Sequence, residues 1–298
     1  MGTLQPIRPM IHPGLADKPI PPDIDLTWEQ IARKVNDHTL AVQLWLDTRS
    51  PTASRYDGLG VSCGATGIQV PLLNQALGAN YPPNCPSDEI ASEIQAVRSF
   101  FEDLGVPYFW WLSPFCRPDD MPNYLERSGL SGRDRPLPAM AAFLDSEIEY
   151  KKDPEIEVWK AKDIDDLKTA GFIRYTGFRF PEGIGLDYFE AMPGAWLDPD
   201  GPAHLYLAAI REGPPAAIGA LIYGAEMPGV YVMATLPEWQ QKGLGKAILA
   251  HILEEAAAHS GAPIIGLTAS PIGFRLYSQF GFTHIFDYRI YHTHPNAS

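Results

Sequence analysis

The sequence predicts an α/β protein with a mixed sheet, arranged as two copies of one unit in tandem. Three observations carry this expectation. Short apolar, strand-like runs alternate with segments of helical period along most of the chain. The order helix, strand, short helix, Gly-apolar occurs twice, closing first at Gly129-Leu130 and again at Gly281-Phe282. These two glycines lie about half the chain apart, as a duplicated unit requires.

The elements follow in order. Residues 1–22 hold Pro6, Pro9, Pro13, Pro19, Pro21 and Pro22, and read as an extended arm. Residues 26–46 place Ile31, Val35, Leu40 and Leu44 at helical spacing, and residues 53–69, rich in Gly, Ser and Thr, suit a strand pair or a loop. A capped amphipathic helix is expected over 87–104, with Ile90, Ile94, Val97 and Phe101 on one face. A strand over 107–113 and a short helix over 118–128 come next. Tyr108, Phe109, Trp110 and Trp111 alternate across that strand, so they read as core. The polar break Lys151-Lys152-Asp153-Pro154 marks a linker, giving domains over 23–150 and 154–298.

The second domain opens with a strand at 156–160, helices at 164–175 and 185–191, and strands at 203–211 and 216–223. Val230, Tyr231, Val232 and Thr235 favour a further strand, ended by Pro237. From Gly243, the set Leu244, Ile248 and Ile252 keeps helical spacing. A buried strand over 263–268 and a short helix over 271–279, stopped by Gly281, complete the unit.

The turn between strand and helix is a phosphate cradle. First-turn amides have no intrahelical acceptor, so the N–H groups of Gln241, Lys242, Gly243, Leu244, Gly245 and Lys246 can converge on an anion that the helix dipole favours. Gly243 and Gly245 let a diphosphate approach the backbone without meeting a Cβ.

Composition sets outer bounds. At 298 residues, 45% hydrophobic and 20% charged, the chain has the length of two ordinary domains and the balance of a soluble globular protein. A net charge of −13 excludes a general nucleic-acid binder. From residue 240 on, Lys242, Lys246, Arg275 and Arg289 outnumber Glu254, Glu255 and Asp287, so the acidity lies in the remainder and favours a cationic acceptor such as an amine. No run of 18 apolar residues occurs, and the first residues lack an apolar signal core, so a cytoplasmic protein with no membrane partner is expected. Cys63, Cys85 and Cys116 form no Cys-x-x-Cys pair; reduced thiols and no metal site are expected.

The order strand, Gln240-x-x-Gly243-x-Gly245, helix, strand, helix, Leu276-Tyr277-x-x-x-Gly281-Phe282 resembles the GCN5-related N-acetyltransferase (GNAT) family over residues 154–294. The resemblance implies an acyl-CoA N-acyltransferase fold in two tandem copies, with acetyl-CoA as co-substrate. It implies that residues 240–246 hold the pyrophosphate and that Met233 and Thr235 hold the pantetheine arm and thioester carbonyl. Ser270, where many members carry Asn, falls among the pantetheine contacts, and Gln241 replaces a usual small residue. Tyr277 matches the family's general acid to the departing thiolate. No acidic residue lies within 230–236, so the general base is sought at Glu226, His284 or Asp287, or in a water chain, with His204, His292 and His294 behind them. In the segment 175–184, which often covers the acceptor in the family, Arg179 is set to meet a substrate carboxylate or to stand solvated.

The first domain lacks these parts. With Gly129 set opposite Gly281, Leu125 falls opposite Tyr277, and the entrance to the 87–104 helix, Tyr81-Pro-Pro-Asn-Cys-Pro-Ser, has three prolines without N–H donors and no Gly-x-Gly. It reads as a degenerate copy without cofactor. The expected activity is acetyl transfer to a primary amine of a small molecule or peptide, by a monomer or homodimer; the alternative is a non-catalytic acyl-CoA-binding or regulatory module of the same fold.

Overall fold

The computed structural model describes residues 11–15, 17–144, 150–224 and 226–293. Residues 1–10 of the expected N-terminal arm, and His294, lie outside the described residues. The chain forms two compact units, residues 1–139 with 284–298, and residues 140–283. The division expected at 150–154 thus falls between Ala139 and Met140, and the C-terminal segment joins the first unit. The reason is that Leu137–Phe143 is one strand that runs through this boundary, so the polar break after it separates two strands rather than two domains.

Unit 1 begins with helix α1 (Trp28–Asp47), entered through a capping box in which Thr27 and Gln30 satisfy each other's backbone N–H groups. Strands β1 (Ser54–Asp57) and β2 (Ser62–Ala65) form a hairpin, and β2 pairs antiparallel with β3 (Asn74–Leu77), a strand that the sequence pattern does not announce. Helix α2 (Ser87–Asp103) carries the chain to β4 (Phe109–Leu112), parallel to β3. No side chain caps α2; Pro86 stands at that position, so the expected cap is absent. Helix α3 (Met121–Arg127) and β5 (Leu130–Gly132) follow. The last described strand of the chain, β12 (Thr283–Thr293), completes the order β1-β2-β3-β4-β12, with β5 also on β12. Ile90, Ile94, Val97 and Phe101 of α2 bury themselves against Tyr108, Trp110 and Leu125, as their spacing requires.

Unit 2 has the order β6-β11-β10-β9-β8-β7, built from β6 (Leu137–Phe143), β7 (Ile156–Lys160), β8 (Ala203–Ile210), β9 (Ala217–Tyr223), β10 (Pro228–Thr235) and β11 (Ile264–Thr268). Strands β7 to β10 are antiparallel, and β10 and β11 run parallel with the crossover helix α6 (Leu244–His259) between them. Helices α4 (Ile164–Phe178) and α5 (Pro193–Trp196) precede β8, and α7 (Phe274–Gln279) follows β11.

The helix expected over 185–191 does not form. Gly183 and Gly185 take φ of 74° and 77°, which starts turns, and the helical turn waits for Pro193. The turns hold because α4 presses on them: a Cβ at Gly171 would meet the Leu186 carbonyl oxygen, and the Arg174 guanidinium lies 3.9 Å from the centre of the Tyr188 ring.

The two units repeat one plan. The run β1, β2, β3, α2, β4, α3 of unit 1 has the same order and strand directions as β8, β9, β10, α6, β11, α7 of unit 2. No helix of the described residues is long and apolar enough to cross a membrane, and no group of His, Cys, Asp or Glu among them is arranged to hold a metal ion.

Candidate active site

The site grows from an irregularity in β10. Its register with β9 is regular through Tyr231↔Ala220, then resumes at Ala234↔Ile218, so one extra residue stands in β10 between them. Val232 takes φ of +53° there, a left-handed conformation uncommon for a β-branched residue. On its other edge, among the described residues, β10 pairs with β11 only at Gly229↔Gly266. Beyond that pair, the backbone of β10 up to Thr235 has no strand partner on the β11 side among the described residues. The Met233 side chain turns toward Gly219, where an added Cβ would meet its sulfur and come 2.6 Å from Ile248 Cγ2. Gly177 of α4 does similar work on the other face, since a Cβ there would stand 3.0 Å from Ala234 Cβ.

The cradle follows directly. After the turn Pro237–Trp239, Gln240 Nε2 donates to the Thr235 carbonyl at 3.3 Å, tying the cradle to the strand end. Gln241 and Gly243 take φ of +63° and +90°. The first helical hydrogen bond of α6 runs from Ala247 N–H to the Gly243 carbonyl, 3.0 Å. Among the described residues, none of the six N–H groups from Gln241 to Lys246 has a protein acceptor. No acidic side chain occupies the first turn of α6, and Lys242 Nζ sits 4.5 Å over the Trp239 ring.

The two cradle glycines differ in an instructive way. A Cβ at Gly243 would come 3.1 Å from Ile156 Cδ1 in a backbone conformation that already disfavours side chains. A Cβ at Gly245 would meet only Leu276 Cδ2 and Thr235 Oγ1, each at 3.7 Å, which is ordinary contact. The protein's own packing therefore does not demand glycine at 245. The same contacts bring Thr235, the cradle and α7 to one place.

Tyr277 follows Leu276 on α7 and is 7% exposed. Its ring meets Phe282 edge-on at 5.8 Å, and Gly273 leaves space for it, because a Cβ there would come 2.8 Å from Tyr277 Cε2. Burial pushes its hydroxyl above the usual tyrosine value, so the proton is held firmly. Ser270 serves its own turn: its Oγ accepts the Gly273 N–H at 3.1 Å and its carbonyl accepts the Phe274 N–H at 2.9 Å.

The general-base candidates are dispersed. Glu226 stands in the β9–β10 turn, seven residues before Met233, which at strand rise is about 20 Å from the bulge. That separation sets it apart from the bulge. His284 and Asp287 belong to unit 1, where His284 Nε2 and Asp287 Oδ1 are 2.9 Å apart and the His284 ring tilts against His12 at 4.6 Å. His292 also lies in unit 1, its Nδ1 3.1 Å from the Thr293 carbonyl. His204, on β8, packs edge-on to Tyr223, and burial lowers its pKa. Arg179 ends α4 in the left-handed conformation with its side chain exposed. The sequence pattern does not mark the bulge at Val232 or the packing glycines 177 and 219. Their one signal was a glycine inside a strand and another inside a helix, where each weakens the element unless close packing requires it.

The corresponding place in unit 1 is built otherwise. Beyond the β3–β4 register Gln75↔Phe109, Ala76↔Trp110 and Leu77↔Trp111, the strands stay joined: Arg117 N–H donates to Ala79 O at 2.6 Å and Tyr81 N–H to Arg117 O at 3.2 Å. Trp110 Nε1 closes the same gap by donating to Gly78 O, 2.9 Å. The first turn of α2 carries Asp88 and Glu89, which satisfy the helix dipole with carboxylates, and Leu125 is fully buried.

Comparison with known proteins accords with this geometry. Residues 202–284 match the family model of the acetyltransferase (GNAT) domain. No curated protein matches the chain. Among solved structures, a GCN5-related N-acetyltransferase from Kribbella flavida superposes with a TM-score of 0.67 at 15% identity, covering 88% of this chain and 96% of that one. A GCN5-related N-acetyltransferase from Sphaerobacter thermophilus gives 0.57 at 13% identity, over 80% and 82% of the two chains. A tandem GNAT protein from the clavulanic acid biosynthesis pathway gives 0.57 at 10% identity, over 90% and 96%. At these identities the similarity is one of fold. Over residues 202–284, where the bulged strand, the cradle and Tyr277 lie, this chain carries a domain of the acetyltransferase (GNAT) family.

Proposed function

We propose that the protein is an acetyl-CoA-dependent N-acetyltransferase that acts on a primary amine of a small molecule or peptide. The observation that carries this reading is the set of six unaccepted N–H groups over residues 241–246, together with a glycine at 245 that protein packing does not require. Such a cradle fits a diphosphate that approaches the backbone closely. Residues 240–246 would hold the pyrophosphate of acetyl-CoA, and the exposed β10 edge at Met233 and Thr235 would hold the pantetheine arm. Bound acetyl-CoA supplies an activated acetyl thioester.

The chain's own groups do the rest. The backbone N–H of Met233, at the bulge, is a fixed donor for an oxygen that gains negative charge, and being preorganised it needs no rearrangement during reaction. Tyr277 holds a proton at Oη, and its burial keeps that proton in place across the physiological range. With Glu226 in the β9–β10 turn, the amine acceptor is taken up in its neutral form, its proton passing to solvent. This hydroxyl favours the enzyme over a binding module, which needs the cradle but no acid. We assign unit 1 the role of a degenerate domain of the same topology without coenzyme, because its strand pair is closed where that of unit 2 opens.

The test is thiol release from acetyl-CoA across a panel of primary amines. Amine-dependent release that disappears in a Gly243→Val, Gly245→Val double variant supports the reading. Tight coenzyme binding with no release on any amine would replace it by the regulatory module.

A further inference from the structure

A cleft of about 240 Å³ lies wholly within unit 1, on the side of β4 away from β3. Its wall is apolar and stiff, formed by Leu112, Met121 and the rings of several prolines between 114 and 136. Its charged groups come from β12 and from the start of α3. Asp287 and Arg289 are two residues apart on β12, so both side chains leave the same face, about 6.6 Å apart along the strand, and Arg289 is paired in register with Leu112. Asp119 lines the same cleft.

The partners of these groups leave a particular gap. Asp287 Oδ1 bonds His284, and Asp119 Oδ1 lies 2.9 Å from Arg117 Nη1, so among the described residues each carboxylate keeps its second oxygen. Among the described residues, no carboxylate lies within ion-pair distance of Arg289. A guanidinium is a fork for a carboxylate, and a carboxylate oxygen beside it suits an ammonium. Two acidic groups disfavour a dianion, and the arginine disfavours a dication. The volume is below the usual range for drug-sized ligands, so the occupant is small.

We propose that this cleft binds a free α-amino acid with an apolar side chain, its carboxylate on Arg289, its ammonium between Asp287 and Asp119, and its side chain against Leu112, Met121 and the prolines. The two charges of an α-amino acid are separated by one carbon, which fits between side chains reaching from alternate positions of one strand. The site lies outside the coenzyme cradle and gives the unit without a cradle a ligand of its own.

The experiment is a titration of the full chain, free of acetyl-CoA, with L-leucine, L-methionine, L-leucinamide and 4-methylpentanoate. Calorimetry gives affinity, and the labelled ε-methyl resonance of Met121, assigned through Met121→Leu, reports occupancy of this cleft rather than of unit 2. L-Leucine is expected to saturate and to shift that resonance, with the amide and the deaminated acid each weaker by about tenfold or more. Arg289→Gln should erase the difference between leucine and leucinamide, and Arg289→Lys should restore part of it. Absence of saturable binding of either amino acid up to about 10 mM, far above the concentration of a useful millimolar site, would overturn the proposal. So would equal leucine affinity in wild type and a folded Arg289→Gln protein, or binding that leaves the Met121 resonance unmoved.

Discussion

A Cβ on Gly219 would collide with the sulfur of Met233. Gly219 is an interior residue of β9, where glycine otherwise weakens a strand, and the space it leaves admits the side chain of a residue that the β10 bulge has turned out of register. The conformation of the proposed thioester-binding strand is thus secured from the neighbouring strand.

Replacing Gly219 by Ala should therefore damage both stability and transfer. Overpacking of this kind typically costs about 1–3 kcal/mol, and its relief requires Met233 or Ile248 to move. We expect a lower melting temperature and a reduced rate of thiol release at saturating acetyl-CoA. Unchanged melting and full activity together would show that the Met233 side chain is free to leave without consequence.

Gly245→Ala and Gly243→Ala separate packing from binding. At 245 the added methyl makes ordinary contacts, so the variant should melt like wild type while acetyl-CoA affinity falls by about tenfold or more, roughly 1.4 kcal/mol. At 243, with φ of +90°, the same change should lower stability as well, by about 1 kcal/mol. Calorimetric titration with acetyl-CoA, beside thermal melts, reads both. A Gly245→Ala protein that binds coenzyme normally would contradict the cradle.

Tyr277→Phe keeps the ring against Phe282 and removes only the hydroxyl. General acid catalysis is worth roughly 10²- to 10⁴-fold, and we expect a loss near the lower end with coenzyme affinity preserved. Because burial raises the hydroxyl's pKa, wild-type turnover should show no loss of this proton near pH 10, where an ordinary tyrosine ionises. Retention of full turnover by Tyr277→Phe on a good amine would make it a packing residue.

His38 on α1 couples unit 1 to acid. Burial lowers its pKa from 6.5 to about 4, so the folded state holds the neutral ring. A group depressed on folding contributes stability above its unfolded value, and that contribution is lost as pH falls from 6.5 toward 4. The full loss is on the order of 3 kcal/mol. Denaturant titrations between these pH values should show the slope in wild type and a shallower one in His38→Gln. Parallel slopes would place the acid sensitivity elsewhere.

Much of this was legible in the residues because local chemistry and tertiary role agree. Ile90, Ile94, Val97 and Phe101 announce the buried face of α2, and Gly243 and Gly245 announce a turn whose amides point outward. The remaining features depend on contacts that sequence spacing does not encode. Val232 is the kind of residue a strand prefers, yet it takes the left-handed conformation because the bulge imposes it. Glu226 is close to Met233 in number and far from it along an extended strand. The 185–191 segment has helical spacing, but Gly171 brings α4 onto the Leu186 backbone and holds turns there instead. The units' boundary was hidden because Leu137–Phe143 runs through it as one strand.

That the strand beside β4 is supplied by residues 283–293 has a consequence for biosynthesis. As the polypeptide leaves the ribosome, Trp110, Trp111 and Leu112 are translated about 180 residues before Arg289, Ile290 and Tyr291, the positions they pair with. Throughout that interval, one side of β4 presents unpaired amide and carbonyl groups beside large aromatic side chains, the kind of exposed border that recruits other strands. The nascent first half is therefore the aggregation-prone stage of this molecule, and a fragment that stops before residue 283 would be held in it permanently.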